Sequence, residues 1–164
     1  MSSKLLVDDV VEKTSGHGVQ ISGHVIQVVA LQTSDADVSL TGNESWNDTG
    51  LEISITPTST SNKILVQFHP QFLINNNAIG VGFKLMRGST NVSYAANYYE
   101  HYFRPDAGST RQFRGRGMVQ AYETAPSTSQ ITYTLHAQKN GSTDGEVKLN
   151  NGGVTYATAM EIGG

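Results

Sequence analysis

The 164-residue chain contains no cysteine. That absence excludes disulfides, thiolate nucleophiles and cysteine-ligated zinc together. A small secreted scaffold stapled by disulfides is excluded with them. Charge is scarce as well: Asp, Glu, Lys and Arg make up 15% of the residues, where about 25% is usual. The net charge of −3 gives no general attraction to nucleic acid or to an anionic membrane. Long apolar runs are missing. The longest, Val25 to Leu31, covers seven residues and includes Gln27, whereas a membrane helix needs about 20. No apolar stretch follows Lys4, so the first residues do not read as a secretory signal. Without one, the N-x-S/T triplets at Asn43, Asn47, Asn91 and Asn140 read as by-products of a polar surface.

Ser, Thr, Asn and Gly stand where charge is usual, and the apolar content suffices for one core. Periodicity is two almost throughout. Leu51, Ile53 and Ile55 alternate with Glu52, Ser54 and Thr56; Ile64, Val66 and Phe68 share a face. Ile79, Val81, Phe83 and Leu85 repeat the pattern, as do Ile131, Tyr133, Leu135 and Ala137. In the last run Val154, Tyr156, Thr158, Met160 and Ile162 line one side, which is expected to be the buried one. Successive strand side chains point to opposite faces, so each run predicts a half-buried strand. Turn signals punctuate them, among them Asn47-Asp48-Thr49-Gly50, Pro57 to Asn62, Arg87 to Thr90 and Asn150 to Gly153. No stretch sustains a 3.6-residue period. The expected fold is all-β: a jelly-roll-like antiparallel β-sandwich over residues 25–164, preceded by an extended arm over residues 1–24. Leu5, Val7, Val10, Val11, Val19 and Ile21 make that arm apolar, while Gly16, Gly18 and Gly23 interrupt it. Too short to bury itself, it is expected to dock on its own body or on another subunit, making these six side chains candidate oligomer contacts.

The five histidines, His17, His24, His69, His101 and His136, form no H-x-H or H-E-x-x-H spacing, so neither a metal nor a cofactor is expected. The exception is symmetry: one histidine on a three-fold axis, such as His17 or His24, supplies three ligands. No G-x-S-x-G elbow singles out a serine nucleophile, and no catalytic residue is expected. Arg104, Arg111, Arg114 and Arg116 hold four of the five arginines. Phe113, Gly115, Gly117, Val119 and Ala121 continue a period-two face, which reads as a strand whose outward positions include Arg114 and Arg116. Alternatively, Arg104, Arg111, Arg114 and Arg116 together are a candidate patch for an acidic partner, since the planar guanidinium pairs bidentately with carboxylates. Tyr94, Tyr98, Tyr99, Tyr102 and Phe103 cluster within ten residues. Tyrosine offers an apolar face and a polar tip, so Trp46, Tyr98, Tyr99 and Tyr102 are candidate ligand aromatics, the alternative being a core or an intersubunit seam.

Two stretches carry a resemblance. The first, Val7-Asp8-Asp9-Val10-Val11-Glu12-Lys13-Thr14-Ser15-Gly16-His17-Gly18-Val19-Gln20-Ile21, is similar to the opening of tail-fibre and other virion proteins of tailed phages. The second joins Gly23-His24-Val25-Ile26-Gln27-Val28-Val29, Trp46-Asn47-Asp48-Thr49-Gly50-Leu51-Glu52-Ile53 and Ser59-Thr60-Ser61-Asn62-Lys63-Ile64-Leu65-Val66. It resembles a module of cyanophage and marine-phage virion proteins, and Leu85 to Ser89 and Ala159 to Ile162 fit the same pattern. The resemblance implies a non-enzymatic structural protein, a homotrimer on the exterior of the phage particle, made in the host cytoplasm. Its partners would be copies of itself and other virion proteins, major capsid or tail, with no nucleic acid and no membrane insertion. The short chain favours a capsid decoration or a short tail appendage over a long fibre. The alternative is a tail-fibre module recognising host-surface glycans.

Overall fold

The computed structural model describes residues 23–34, 37–40, 45–75, 79–93, 101–103, 112–141 and 145–164. Among them the chain is all-β, with 71% in strands and no helix. The strands are β1 (Val25–Thr33), β2 (Val38–Leu40), β3 (Trp46–Ile55), β4 (Lys63–His69), β5 (Gln71–Asn75), β6 (Ile79–Arg87), β7 (Thr90–Asn91), β8 (His101–Phe103), β9 (Gln112–Arg116), β10 (Val119–Thr124), β11 (Ile131–Gly141), β12 (Glu146–Leu149) and β13 (Thr155–Ile162). They pair antiparallel in three sheets, β1-β13-β4-β10, β2-β12-β5-β9 and β3-β11-β6-β7, with β8 also on β6.

The first two sheets repeat one order of chain segments. β1 leads to β2, β4 to β5, β9 to β10 and β12 to β13, each across a short break. Pro70 makes one break because it has no N–H to donate to a ladder. Its carbonyl instead accepts from Gly117 N at 2.9 Å, next to the break between β9 and β10. Asn150, at φ 58°, turns the chain between β12 and β13, and its N–H donates to the Gln71 carbonyl. The result is one bent four-stranded layer laid against the third sheet, a sandwich-like architecture with a single core. Ile64, Val66 and Phe68 of the first sheet, Phe72, Ile74 and Val147 of the second, and Ile53, Val81, Phe83 and Leu135 of the third all belong to that core. Burying each such side chain contributes about 1.5–3 kcal/mol.

Most of the alternations hold, and the last one is inverted. β13 turns Thr155, Ala157, Ala159 and Glu161 to the core, while Tyr156, Thr158, Met160 and Ile162 face outward. Ala157 and Ala159 sit opposite Phe68 and Val66 of β4, where small side chains leave room for the larger neighbours. The turn expected at Asn47 to Gly50 is a bulge within β3 instead. Pairing with β11 slips between Thr134 and His136, and Gly50 takes φ 69°. Asp48 Oδ1 accepts from Gly50 N, and the Thr49 hydroxyl donates to the Leu135 carbonyl at 2.6 Å, replacing a ladder bond. Gly50 serves the bulge for the reason glycine serves a turn, because it takes φ > 0 without strain, and Asp48 supplies the acceptor for its N–H. The turns at Pro57 to Asn62, Arg87 to Thr90 and Asn150 to Gly153 fall where the sequence places them.

Candidate functional site

The arm residues Leu5, Val7, Val10, Val11, Val19 and Ile21 lie outside the described residues, as do Arg104, Arg111, Tyr98 and Tyr99. The chain enters the described body at Gly23 and His24, which exchange backbone hydrogen bonds with Gly163 at the far end of β13. Gly23 and His24 thus sit at the rim of the β1-β13-β4-β10 sheet.

Arg114 and Arg116 are exposed on the outward side of β9. Arg114 Nη1 donates to the Asn151 carbonyl at 2.6 Å and Nη2 to Asn151 Oδ1 at 2.9 Å, while Asn151 Nδ2 donates to Asp37 Oδ2. Arg116 Nη1 donates to the carbonyls of Val154 and His69. Its guanidinium lies 5.0 Å from the centre of the Tyr156 ring, within cation–π range. With Gln71, Gly152, Gly153 and Val154, the two arginines line an open groove. In this chain they clamp the 150–154 turn to β9.

Trp46 and Tyr102 do not come together. Both sit on the outward side of the third sheet, Trp46 on β3 and Tyr102 on β8, with β11 and β6 between them. Three strand spacings put them about 14 Å apart across the sheet. Lys84 Nζ lies 4.6 Å from the centre of the Trp46 ring. His136 stands between Asp48 and Lys84 in one cross-strand row. Burial holds its pKa below the ordinary 6.5, with Lys84 acting in the same direction and Asp48 against it. His101 stacks on Phe72 at 4.8 Å, and burial lowers its pKa too. Among the described residues no three His, Asp or Glu side chains gather as a metal site.

The inward-facing charges are used inside the chain. Glu161, 0% exposed, accepts from Gln27 Nε2 (2.6 Å), Thr58 N (2.7 Å), the Thr58 hydroxyl (2.9 Å) and Asn62 Nδ2 (2.6 Å). Burial pushes its pKa up, and these hydrogen bonds outweigh burial and hold it below the ordinary value. The carboxylate thereby fastens β1 and the β3–β4 turn to the end of β13. Glu123 of β10 pairs bidentately with Arg87 of β6 at 2.9 and 3.1 Å, and the Tyr133 hydroxyl of β11 donates to it at 2.7 Å. This clasp joins the two layers. Burial first, then the bond to Glu123, holds the Tyr133 phenol far above its ordinary 10.0. The buried Lys139 ammonium donates to the Gly145 carbonyl. Replacing Tyr133 by phenylalanine removes one bond and leaves Glu123 held by Arg87. The expected loss is about 1 kcal/mol in urea unfolding at pH 7; an unchanged midpoint would show that the hydroxyl contributes nothing to the clasp.

The sequence reading passed over the outward face of β1-β13-β4-β10. Across it runs the row Val28, Met160, Leu65 and Tyr122, each in register with the next. Beside it run Ala30, Thr158, Gln67 and Gln120, with Gln67 Nε2 donating to Gln120 Oε1 at 3.2 Å. The next rows out hold Val25, Ile162, Lys63 and Thr124 on one side and Gln32, Tyr156 and His69 on the other. A signal was present in the sequence: Val28-Val29-Ala30-Leu31 and Ile64-Leu65-Val66 are apolar at consecutive positions rather than alternate ones. That pattern belongs to strands covered on both faces. No protein-family model matches the chain, and no curated protein is significantly similar to it.

Proposed function

We propose that this chain is a non-enzymatic structural protein of a tailed-phage virion, a homotrimeric decoration of the particle surface held there by residues 1–24. One observation carries the reading. The described ionisable side chains that turn inward or flank a turn, Glu161, Glu123, Arg87, Arg114, Arg116 and Lys139, bind this chain's own strands and turns. Charges placed in this way brace a body and do not converge on a ligand. The virion resemblance of residues 7–21 and 46–66 adds to it. The strand order supports a jelly roll. With each broken segment counted as one strand, the order is 1-8-3-6 in one layer against 2-7-4-5 in the other, the arrangement of two interleaved Greek keys. A closed trimer would also cover β1 and β10, which form the edges of the first sheet.

An antibody raised against residues 25–164 is expected to label purified particles of the phage that encodes the chain. A chain lacking residues 1–22 is expected to keep its far-ultraviolet β spectrum and to lose binding to particles stripped of the protein. Label confined to the soluble fraction of the lysate would sink the virion reading. Undiminished binding by the shortened chain would show that the arm is not the anchor.

A further inference from the structure

We propose that copies of this chain join pairwise through the outward face of the β1-β13-β4-β10 sheet, a two-fold contact that rests on the self-association proposed above but not on its three-fold form. Seven large apolar side chains remain well exposed among the described residues. Val25, Val28, Tyr122 and Tyr156 lie on this face, and Met118 adjoins it at the start of β10. Tyr122 is 61% and Val28 55% exposed. Met160 and Leu65, half-buried between them, complete one apolar row across all four strands. The inversion of β13 points the same way. That strand spends alanines on its own core and turns tyrosine, methionine and isoleucine outward, a poor use of apolar area unless a second surface covers them.

The occupant is a second copy because of charge. In the four cross-strand rows the ionisable groups besides the tyrosines are Lys63 and His69, with no carboxylate among them; Lys63 Nζ is bonded to Thr124 Oγ1, and the neighbouring Arg116, over the Tyr156 ring, is held by the Val154 and His69 carbonyls. A partner of opposite charge would need a charged counterpart here. A copy of the same face needs none, since Gln67, Gln120, Thr158 and the tyrosine hydroxyls both donate and accept. Size agrees. Four strands at about 4.8 Å and four rows of side chains give a face of about 19 by 24 Å in plan. Two such faces withdraw about 900 Å² in plan, the size of a weak, reversible contact, which the micromolar range of the test addresses.

The test uses the full-length chain in light scattering after size exclusion, from micromolar to tens of micromolar. The unaltered chain is expected to run well above its monomer mass of 17.6 kDa. Tyr122→Glu and Leu65→Glu place an unpaired charge in the apolar row and are expected to weaken association about 100-fold, leaving monomer. Tyr122 points outward, so its variant should keep the unfolding midpoint. Tyr102→Glu, at an exposed aromatic of the third sheet, is expected to leave the oligomer whole. A second measurement does not depend on those variants folding. In this cysteine-free chain, a thiol at Val28→Cys is expected to react with maleimide about tenfold more slowly than one at Tyr102→Cys, about nine-tenths of the chain being assembled. An unaltered chain that is monomeric throughout overturns the self-association reading and this inference with it. An oligomer that survives both glutamate substitutions, with Val28→Cys as reactive as Tyr102→Cys, overturns this inference alone. Loss of the oligomer in Val11→Glu but not in Tyr122→Glu assigns the contact to the arm and also overturns it.

Discussion

Replacing Glu161 by alanine is expected to lower the unfolding free energy by about 2–4 kcal/mol, because buried donors are then left without an acceptor. The Thr58 N–H and the Asn62 amide both end on the one carboxylate oxygen, and Gln27 ends on the other. Glu161→Gln is expected to be milder, about 1 kcal/mol, because the amide oxygen still serves Thr58 and Asn62 and one bond, that from Gln27, is lost. The two variants separate further with pH. The folded-state pKa of Glu161 lies below the ordinary 4.5, so the unfolded chain takes up this proton first as the solution is acidified. The stability that Glu161 supplies is therefore fully present above about pH 4.5 and is lost as pH falls through the lower folded value. His101 and His136 add to the same trend at milder acidity. Their folded values lie below 6.5, so charging them as pH drops favours the unfolded chain. Urea midpoints of the unaltered chain and of Glu161→Gln, taken from pH 7 to pH 3, should converge at the acid end. Parallel curves would mean that this carboxylate does not set the acid limb.

Gly117→Ala is the second large effect, about 2–3 kcal/mol of lost stability, measured as a shift in the denaturant midpoint. A Cβ at position 117 would stand 2.5 Å from Cε2 and 2.9 Å from Cδ2 of Phe83. Phe83 is itself 1% exposed and is packed against Phe72 and His101, so its ring has no room to withdraw. Nor can the backbone yield easily, since Gly117 N is bonded to the Pro70 carbonyl where two neighbouring segments break together. Phe83→Leu in the same chain removes the obstructing ring atoms. The double variant should therefore be more stable than the sum of the single losses by at least about 1 kcal/mol. Strict additivity would show that the close approach is not what makes glycine necessary here.

Much of the fold was legible as pattern. Ile64, Val66 and Phe68, and Tyr133, Leu135 and Ala137, face the core as their alternation requires. In β13 alternation specified two faces and left their assignment open. Hydropathy chose Tyr156, Met160 and Ile162 for the core, but the space beside Phe68 and Val66 and the donors around Glu161 selected the alanine side. At Asn47 to Gly50 the glycine announces a positive φ but not whether the chain reverses or bulges. The answer depended on β11 lying alongside. Arg114 and Arg116 stand exposed on a strand, as the alternation of residues 113–121 predicts. That they clamp the 150–154 turn was not legible, because their partners are the carbonyls of Asn151, Val154 and His69. Backbone acceptors carry no mark in a sequence.

By itself the sequence determined an all-β chain of low charge, free of disulfide chemistry, with strands and turns close to where they stand. Those properties follow from residue type and short-range spacing, which act before the chain closes on itself. Tertiary structure alone decided which side of each strand meets the core, where two sheets break and continue, and that an uncharged apolar row would be left facing outward. Each of those outcomes is settled by volume and hydrogen bonding between segments as far apart as Gln27 and Glu161, whose meeting no local pattern encodes.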